Sequence, residues 1–307
     1  MDQFFQQLTN GLALGCLYAL VAVGYTIVYG IIQLINFAHG EIFMIGSFGA
    51  LAAWTWALGG RTAVWTLPVM LVGAVVSSVV VAVITERLAY RPLRNAPRLA
   101  PLITAIGVSV TLQEAVRLYY PGAKSGLSFP TIDVVNGDAL QVGGVNIERT
   151  AVIIVAVLVV CGVGVNLFIN RSRTGRAMRA TAEDPDTARL MGIDVDRIVV
   201  IAFVLGAVLA GIAGLMQGLE YHNIKFSDGF TAGLKAFTAA VLGGIGNING
   251  AILGGIVVGL VETMATQYIP GQFGGSTWKD VWAFVILIIV LVVRPQGLLG
   301  ARVVDRA

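Results

Sequence analysis

Long apolar runs separated by short polar connections occupy most of this chain and restrict it to one class of fold. The first run covers residues 12–35, and similar runs recur as far as residue 299. Each run has close to the ~20 residues that a helix needs to cross a hydrocarbon core of ~30 Å. Hydrophobic residues make up 57% of the chain and charged residues 12%, whereas soluble domains carry about 25% charged residues. The sequence therefore predicts an all-α integral membrane protein.

Eight apolar segments are predicted to build a polytopic helical bundle. They cover residues 12–35, 42–58, 65–84, 99–119, 151–169, 198–219, 237–264 and 279–299. The seventh segment contains seven glycines between Gly243 and Gly259 and, among them, Asn247 and Asn249. It is either a tightly packed helix pair or a broken or re-entrant helix of the kind found in transporters. We therefore expect about eight to nine transmembrane helices in a single permease-like domain of residues 1–307.

Arginine residues are concentrated in alternate connections between these segments. Residues 86–98 contain four Arg, residues 171–197 contain six, and the last 14 residues contain three. Cytoplasmic connections of membrane proteins are enriched in Lys and Arg, so these 13 of the 20 basic residues are predicted to lie in the cytoplasm, together with the C-terminus. Residues 121–149 contain only Lys124 and Arg149 as basic residues. They are predicted to lie outside, where a small hairpin is expected.

Residues 171–197 form the longest strongly charged connection in the chain. Asp184 is a favourable N-cap, Pro185 fits the first helical position, and Gly192 fits the position just past a helix end. These signals predict a helix over residues 185–191, which is too short to persist alone in water. The connection is therefore either a solvated turn held by the neighbouring helices or a docking element for a soluble partner.

Polar residues interrupt the apolar pattern at two other places. Asn36, His39 and Glu41 fall between the first two apolar segments, and Asn247 and Asn249 fall inside the glycine-rich segment. Polar clusters at breaks in membrane helices are candidate functional sites. Asn36 is equally suited to closing the first helix, and Glu41 to the first turn of the second. Helix capping and the lining of a translocation pathway both remain open.

Motifs of hydrolytic and metal chemistry are absent from the sequence. The chain contains no GxxxxGK[S/T], HExxH or GxSxG motif, so a P-loop ATPase, a zinc protease and a serine hydrolase are not indicated. Cys16 and Cys161 lie inside apolar runs and give no metal-ligand spacing. We therefore predict no catalytic residue, no metal and no cofactor bound by this chain. The Arg clusters beside apolar runs indicate contact with a lipid membrane and not with nucleic acid.

Four segments carry a resemblance to a known family. The sequences are NFAHGE at residues 36–41, RATAED at 179–184, KAFTAAVLGGIG at 235–246 and RPQGLLG at 294–300. In the same order, they resemble segments of the LivH-type permease subunits of bacterial high-affinity branched-chain amino acid ABC transporters. The resemblance covers nearly the whole chain. Permeases for urea or other amides share these segments, so a urea or amide permease is an alternative.

The resemblance implies a transport role and a set of partners. A chain of this kind is a permease subunit that moves branched-chain, hydrophobic amino acids across the bacterial inner membrane, without an ATPase motif of its own. Two separate ABC ATPase subunits would hydrolyse ATP with Mg²⁺, and a periplasmic amino-acid-binding protein would deliver the substrate. A LivM-type permease subunit would complete a heterodimer.

The resemblance also implies roles for individual residues. ABC permeases present a coupling helix to the ATPase, often marked by the pattern EAA-x3-G, and residues 186–192 match it in degenerate form. The expected coupling residues, all in the cytoplasmic coupling loop of residues 171–197, are Arg179, Glu183, Asp184, Pro185, Ala188, Arg189, Met191 and Gly192. The expected pathway residues are Asn36, His39, Glu41, Asn247 and Asn249.

Two other functional classes remain as alternatives. A stand-alone secondary transporter needs ionisable groups in the membrane, and few lie in or near the apolar segments. Ion-driven uptake by this chain alone in liposomes would support that class. An intramembrane hydrolase lacks any motif, and it would require loss of turnover when His39 is mutated.

Overall fold

The computed structural model of the protein describes residues 2–57, 59–60, 63–94, 96–97, 99–142 and 144–300. Within these ranges the chain forms eleven α-helices and four short strands. The helices are α1 (Asp2–Ile32), α2 (His39–Ala52), α3 (Thr66–Thr85), α4 (Leu99–Tyr119), α5 (Arg149–Arg171), α6 (Arg173–Glu183), α7 (Pro185–Leu190), α8 (Val195–Tyr221), α9 (Asp228–Gly243), α10 (Ile248–Tyr268) and α11 (Lys279–Val293). The strands are β1 (Leu127–Ser128), β2 (Asp138–Val142), β3 (Val145–Glu148) and β4 (Asn223–Ile224).

Each predicted apolar segment corresponds to a helix or to a helix pair. Within the described residues, six helices are long and apolar enough to cross a membrane, namely α1, α3, α4, α5, α8 and α10. The other bundle helices, α2, α9 and α11, have 14, 16 and 15 residues, fewer than the ~20 of a full span. The predicted class, a polytopic helical membrane protein, is confirmed. The eight to nine predicted helices correspond to six long helices and three shorter ones.

Helix α1 lies at the centre of the bundle. From Gly11 onward nearly all of its residues are buried, and it packs against α10, α8, α9 and α5. A side chain at Gly259 of α10 would collide with the backbone of Gly15, and one at Gly255 with the backbone of Ala19. Small residues at this spacing let two backbones touch, so this part of the glycine-rich segment serves helix packing. A helix that is apolar on all sides is expected in such a central position.

The glycine-rich segment is both broken and tightly packed. Residues 244–247 separate α9 from α10, at the break that the two asparagines indicated. A side chain at Gly250 would collide with the carbonyl of Gly243, so the two helices touch across the break. The Leu299 N–H donates to the Gly243 carbonyl at 2.9 Å. The segment after α11 therefore covers the break, and the two interpretations of the sequence combine in one structure.

The two ends of the bundle differ in charge. At one end Arg91 and Arg94 both pair with Asp196, the former at 3.0 Å, so the connection after α3 lies beside the start of α8. Asn166 and Asn249 line one groove, which places the end of α5 and the α9–α10 break at this same end. We name it the Arg-rich end, because both Arg-rich connections meet there. The opposite end, where β1 pairs with β4, is the distal end.

The connection between α4 and α5 contains the expected hairpin. Strands β2 and β3 pair in antiparallel orientation, within the predicted residues 121–149. Residues 131–135 alternate in polarity but form no strand. The side-chain oxygen of Asn136 accepts a hydrogen bond from the Ile132 N–H at 2.8 Å and closes a turn there instead.

Candidate docking and translocation sites

Helix α7 begins as the sequence predicted. The Asp184 side chain accepts hydrogen bonds from the N–H groups of Asp186 at 2.9 Å and Thr187 at 3.2 Å, which satisfies donors that a helix start leaves free. Pro185 occupies the first helical position, where its missing N–H has no partner to lose. The Thr187 hydroxyl, together with these N–H groups, lowers the pKa of the Asp184 carboxyl, because each donor favours the charged form.

Helix α7 ends in a Schellman motif. The Gly192 N–H donates to the Arg189 carbonyl, and the Ile193 N–H donates to the Ala188 carbonyl, each at 3.0 Å. Gly192 has a φ of +81°, a left-handed conformation that glycine adopts without strain. The helix ends one residue before the predicted position, and Met191 is its C-cap. The predicted short helix is therefore closed by hydrogen bonds at both ends.

A second helix, α6, precedes α7 in the same connection and was not predicted. Ser172 caps it by accepting a hydrogen bond from the Gly175 N–H at 2.8 Å. Gly175, Met178 and Thr181 are buried, and their three-residue spacing places them on one face of the helix. This spacing was a usable sequence signal that the many charges around it obscured. Residues 171–197 thus form a pair of helices.

The expected coupling residues lie at the Arg-rich end, in residues 179–192, which we name the docking segment. Ala188 is buried and fixes α7 against the bundle. The other seven are exposed: Arg179, Glu183, Asp184, Pro185, Arg189, Met191 and Gly192. In the same segment, Met191 is 78% exposed and its neighbour Leu190 is 87% exposed. Two adjacent large apolar side chains, uncovered on a helix that follows a charged connection, indicate a surface that a partner covers.

The charged side chains of the docking segment have local contacts. A guanidinium nitrogen of Arg179 donates to Asn170 Oδ1 at 2.7 Å. Arg189 pairs with Asp186 at 2.8 Å. The exposed Arg189–Asp186 ion pair contributes little to stability, so the Arg189 guanidinium can be exchanged to a partner's carboxylate at small cost.

Asn36 organises the break between α1 and α2. Its side-chain oxygen accepts hydrogen bonds from the Ala38 N–H at 3.0 Å and from the Tyr90 hydroxyl at 2.8 Å. The side chain is buried, and its bond to Ala38 lies at the start of α2. Of the two roles left open for Asn36, closing the first helix is wrong, because α1 ends at Ile32 and the side chain bonds to Ala38, the residue before α2. Its bond to Tyr90 ties the break to the connection after α3.

His39 and Glu41 are buried between helices. The His39 ring lies 4.7 Å from the Tyr25 ring, measured between centroids, and it packs against Gly24. Glu41 lies in the first turn of α2, as predicted, and accepts a hydrogen bond from the Ser109 hydroxyl at 3.1 Å. Neither side chain lines the cavity of about 390 Å³ at the distal end of the bundle. Their role in a pathway stays a prediction.

The two asparagines of the glycine-rich segment have separate environments. Asn247 caps α10, and its amide donates to the Leu299 carbonyl at 2.8 Å. Asn249 is exposed and lines an apolar groove of about 410 Å³ between α1, α5 and α10. The α1–α2 and α9–α10 breaks nevertheless approach each other, since Ile35 and Ile245 line one small cavity. The two backbone breaks thus lie close together, whereas the Asn247 side chain caps a helix and the Asn249 side chain lines a groove.

A buried ion cluster joins α1, α9, α10 and α11, and sequence reasoning did not predict it. The Lys235 ammonium donates to Glu262 Oε1 at 2.7 Å and to the Tyr18 hydroxyl at 3.2 Å. The Tyr18 hydroxyl donates in turn to Glu262 Oε2 at 3.0 Å. Asp280 Oδ1 lies 2.6 Å from the same ammonium. Charges within a membrane helix require partners of this kind, and the name ion cluster is kept below for these four residues.

The ion cluster borders a cavity of about 390 Å³ at the distal end of the bundle. Tyr18, Lys235 and Glu262 line this cavity, as do Tyr221 and Asn223 where α8 gives way to β4. Its volume lies within the range of about 300–1,000 Å³ that is usual for small-molecule sites. We name it the distal cavity.

Sequence reasoning missed the ion cluster because its members are distant in the chain. Tyr18 lies 244 positions from Glu262 and 217 positions from Lys235. No local pattern connects such residues. One signal was available, since Glu262 is a charge inside an apolar segment and Lys235 lies two residues before that segment, and ionisable residues in or beside membrane helices are costly and often functional.

A bundle of membrane-length helices with an exposed helical segment at one end and a polar cavity at the other has the features expected of a membrane transport protein. A family profile described as "Branched-chain amino acid transport system / permease component" matches residues 7–291. The chain therefore belongs to this family of multi-pass membrane permeases.

Individual relatives match over nearly the full length of the chain. It is 45% identical to the high-affinity branched-chain amino acid transport system permease protein BraD of Pseudomonas aeruginosa, over 99% of this chain and 98% of the relative. It is 42% identical to the corresponding permease protein LivH of Escherichia coli K12, over 99% of this chain and 97% of the relative. These matches confirm the resemblance to LivH-type permeases.

Solved transporter structures share the fold. An inward-facing conformation of a putative metal-chelate type ABC transporter matches with a TM-score of 0.51 at 15% identity, covering 94% of this chain and 88% of that chain. PsaBC from Streptococcus pneumoniae in complex with Fab matches with a TM-score of 0.50 at 14% identity, covering 95% and 92%. At these identities the likeness concerns the fold alone.

Proposed function

We propose that this chain is the permease subunit of an ATP-binding-cassette importer that carries branched-chain amino acids across the bacterial inner membrane. The names of its relatives support the substrate class. In this proposal the chain has no ATPase activity and binds no cofactor. Two partner ATPase subunits bind and hydrolyse ATP with Mg²⁺, and a periplasmic binding protein delivers the amino acid.

The observation that carries the proposal is the way in which α7 is held. A helix of six residues does not persist alone in water, yet α7 is capped at both ends and anchored by the buried Ala188. It also contacts α8, which crosses the bundle and packs against α1. A partner that pushes on Leu190 and Met191 therefore moves α8, and with it the centre of the bundle.

The charge of the two ends supports an orientation. Both Arg-rich connections lie at one end, and cytoplasmic connections are the ones enriched in Arg. We place the Arg-rich end and the C-terminus in the cytoplasm, where ATPase subunits are found. The distal cavity then faces the periplasm, on the side of the binding protein.

The lateral faces of the bundle leave room for a second permease subunit. The membrane-crossing windows of α3, α4 and α5 are only 22%, 17% and 22% buried. Their outward side chains face lipid or another subunit. We propose that a LivM-type permease subunit covers part of this surface and completes a heterodimer.

The test is a double substitution in the docking segment. Leu190→Glu with Met191→Glu replaces two exposed apolar groups by charges, and neither position is buried. We expect the ATPase subunits to be lost on purification and ATP-driven leucine uptake in proteoliposomes to fall about tenfold or more, as for central interface residues. Leu140→Glu is the matched control, since Leu140 is 59% exposed but lies in the distal hairpin.

Each contrary result has a defined meaning. Retention of the ATPase subunits and of uptake in the double variant would refute docking at this segment. Uptake of urea in place of leucine would favour an amide permease. Ion-driven uptake by this chain without ATPase subunits would favour a secondary transporter.

A further inference from the structure

The charges around the distal cavity are balanced. Three ammonium groups and two carboxylates line it, namely Lys225, Lys235, Lys279, Asp228 and Glu262, and a third carboxylate, Asp280 of α11, contacts Lys235. A cavity with equal numbers of both signs gives no net preference to a free cation or a free anion. It offers donors and acceptors to a ligand that carries one charge of each sign.

The two carboxylates beside Lys235 are held unequally. Glu262 accepts hydrogen bonds on both oxygens, from Lys235 and Tyr18, and its side chain is only 5% exposed. The Asp280 side chain is 42% exposed, and its Oδ1, which is itself buried, lies 2.6 Å from the ammonium without the alignment of a hydrogen bond. Glu262 is therefore the fixed, hydrogen-bonded partner of Lys235, and Asp280 is the more exposed partner.

One donor of the Lys235 ammonium is available to a ligand. An ammonium has three N–H donors, and two of them serve Glu262 and the Tyr18 hydroxyl. The third makes no aligned hydrogen bond to Asp280, although Asp280 Oδ1 lies 2.6 Å from the ammonium nitrogen. A ligand carboxylate can take this donor while the buried pair with Glu262 stays intact.

The cavity also has an apolar wall. The side chains that form it are aliphatic or aromatic and come from α1 and α2: Leu14, Leu17, Val21 and Phe43. Small-molecule sites commonly combine such a wall with a few placed polar groups. A ligand with a charged head and an aliphatic tail meets both requirements.

We infer that the distal cavity binds a free aliphatic α-amino acid, whose zwitterionic head group inserts between Lys235 and Asp280. The carboxylate accepts from Lys235, the ammonium donates to Asp280, and the side chain packs on the wall formed by α1 and α2. The inference rests on the proposed function for the choice of an amino acid. It adds a binding site within this single permease chain.

Insertion of a zwitterion has a small electrostatic cost for a physical reason. A lone charge entering the bundle would have to be desolvated without a partner. A zwitterion replaces one ammonium–carboxylate contact by two, so every charge remains paired throughout. The two charges of an α-amino acid are separated by one carbon atom, so a small separation of Lys235 and Asp280, which touch at 2.6 Å, admits the head group between them.

The experiment measures equilibrium binding to the complete transporter complex in phosphatidylcholine nanodiscs, without ATP or binding protein. Phosphatidylcholine carries neither a carboxylate nor a primary ammonium, so the lipid cannot substitute for the ligand. The probes are leucine, 4-methylpentanoate, which lacks the ammonium, and 3-methylbutylamine, which lacks the carboxylate. We expect each analogue to bind about tenfold or more weakly than leucine, the loss that follows from one charged hydrogen bond.

The decisive variant is Asp280→Asn. It removes the negative charge that pairs with the ammonium and leaves the contacts among Lys235, Glu262 and Tyr18 in place. Affinity for 4-methylpentanoate relative to leucine should rise about tenfold or more, because the analogue no longer competes with the Asp280 carboxylate and the leucine ammonium loses its charged partner. A purely structural role of Asp280 would leave this ratio unchanged. Asp280→Glu should restore the preference for leucine.

The matched control is Glu114→Gln. Glu114 has the same 42% side-chain exposure as Asp280 and is paired with Arg117 at 2.7 Å toward the distal end of α4. This variant should leave the affinities of 4-methylpentanoate and 3-methylbutylamine, each relative to leucine, at their wild-type values. A change equal to that of Asp280→Asn would overturn the inference.

A second variant tests the carboxylate side. Lys235→Gln combined with Glu262→Gln removes the fixed pair, and the remaining carboxylate, Asp280, has a side chain that is 42% exposed. Discrimination between leucine and 3-methylbutylamine should then disappear, whereas persistence of that discrimination would overturn the assignment to Lys235.

The inference and the proposed function fail in different ways. If the wild-type complex imports leucine with ATP but Asp280→Asn leaves the binding ratio unchanged, the site is wrong and the proposed function stands. If leucine binds as described but no ATP-driven uptake occurs, the site stands and the proposed function is wrong.

Discussion

The docking segment and the ion cluster are both polar, but different kinds of interaction hold them in place. Residues 179–192 are contiguous, and the hydrogen bonds that cap α7 join residues no more than five positions apart. The ion cluster joins four helices, and the contacts of Tyr18 within it span 217 and 244 positions of the sequence. One region is exposed and locally determined, and the other is buried and depends on the whole bundle. We therefore expect substitutions in the ion cluster to destabilise the whole bundle strongly, and substitutions in the docking segment to have smaller effects that stay local.

The largest effect is expected for Lys235→Met. Lys235 is 3% exposed, and its removal leaves the buried Glu262 carboxylate without a cation. Breaking one side of a buried ion pair destabilises proteins by about 3–5 kcal/mol. Thermal unfolding of the purified complex in detergent should therefore shift strongly to lower temperature.

A double variant separates charge from packing in that result. Lys235→Met with Glu262→Gln removes both charges, and neutral replacements of a buried pair are often tolerated. It should recover most of the lost stability. If the double variant is as unstable as the single one, the cluster acts through packing, and the contrast with the docking segment loses its electrostatic basis.

The same contrast explains which parts of the structure the sequence could predict. The apolar runs located the bundle helices, and α4 begins and ends at the predicted residues, because helix length and polarity are set by the membrane. Asp184 and Gly192 fixed both ends of α7, because caps depend on residues a few positions apart. These features are local, and local rules suffice for them.

Features that depend on tertiary contacts escaped prediction. Closing α1 was one of the two roles left open for Asn36, but Tyr90, 54 positions away, shares its side-chain oxygen and helps to hold it at the start of α2. The ion cluster required knowledge of which faces of α1, α9, α10 and α11 meet. The expected pathway residue Asn249 faces an apolar groove, an environment that only helix packing decides. The pathway assignments are therefore the part of the site that sequence alone supported least.

An intermediate effect is expected for Gly192→Ala. The φ of +81° disfavours any residue with a Cβ, and the cost is about 1–2 kcal/mol. No atom lies within 4 Å of the position that the new Cβ would occupy, so the substitution tests backbone conformation alone. Hydrogen exchange of the α7 amides should accelerate, while the thermal unfolding temperature of the bundle changes little.

Gly246→Ala is the matched control for this measurement. Gly246 has a φ of +95° and open space around it, but it lies in the break between α9 and α10. It should leave exchange in α7 unchanged. Equal acceleration of α7 in both variants would mean that the docking segment is coupled to the glycine-rich break and is not locally determined.

The smallest effect is expected from the titration of Asp184. Hydrogen bonds from the Thr187 hydroxyl and from two backbone N–H groups hold its pKa below the ordinary value of 3.8. Because the pKa of Asp184 is lower in the folded protein than in the unfolded chain, the cap contributes its full stability at pH values above the unfolded-state pKa. This stability is lost as the pH falls toward the folded-state pKa. Amide protection in α7, corrected for intrinsic exchange, should be constant from neutral pH to about pH 5 and should decrease below the ordinary pKa.

Asp184→Asn keeps a capping oxygen without a titrating proton, so its protection should not vary with pH. If the wild-type protein and this variant lose α7 protection in parallel on acidification, the loss originates elsewhere in the bundle, and the docking segment does not behave as a locally determined element.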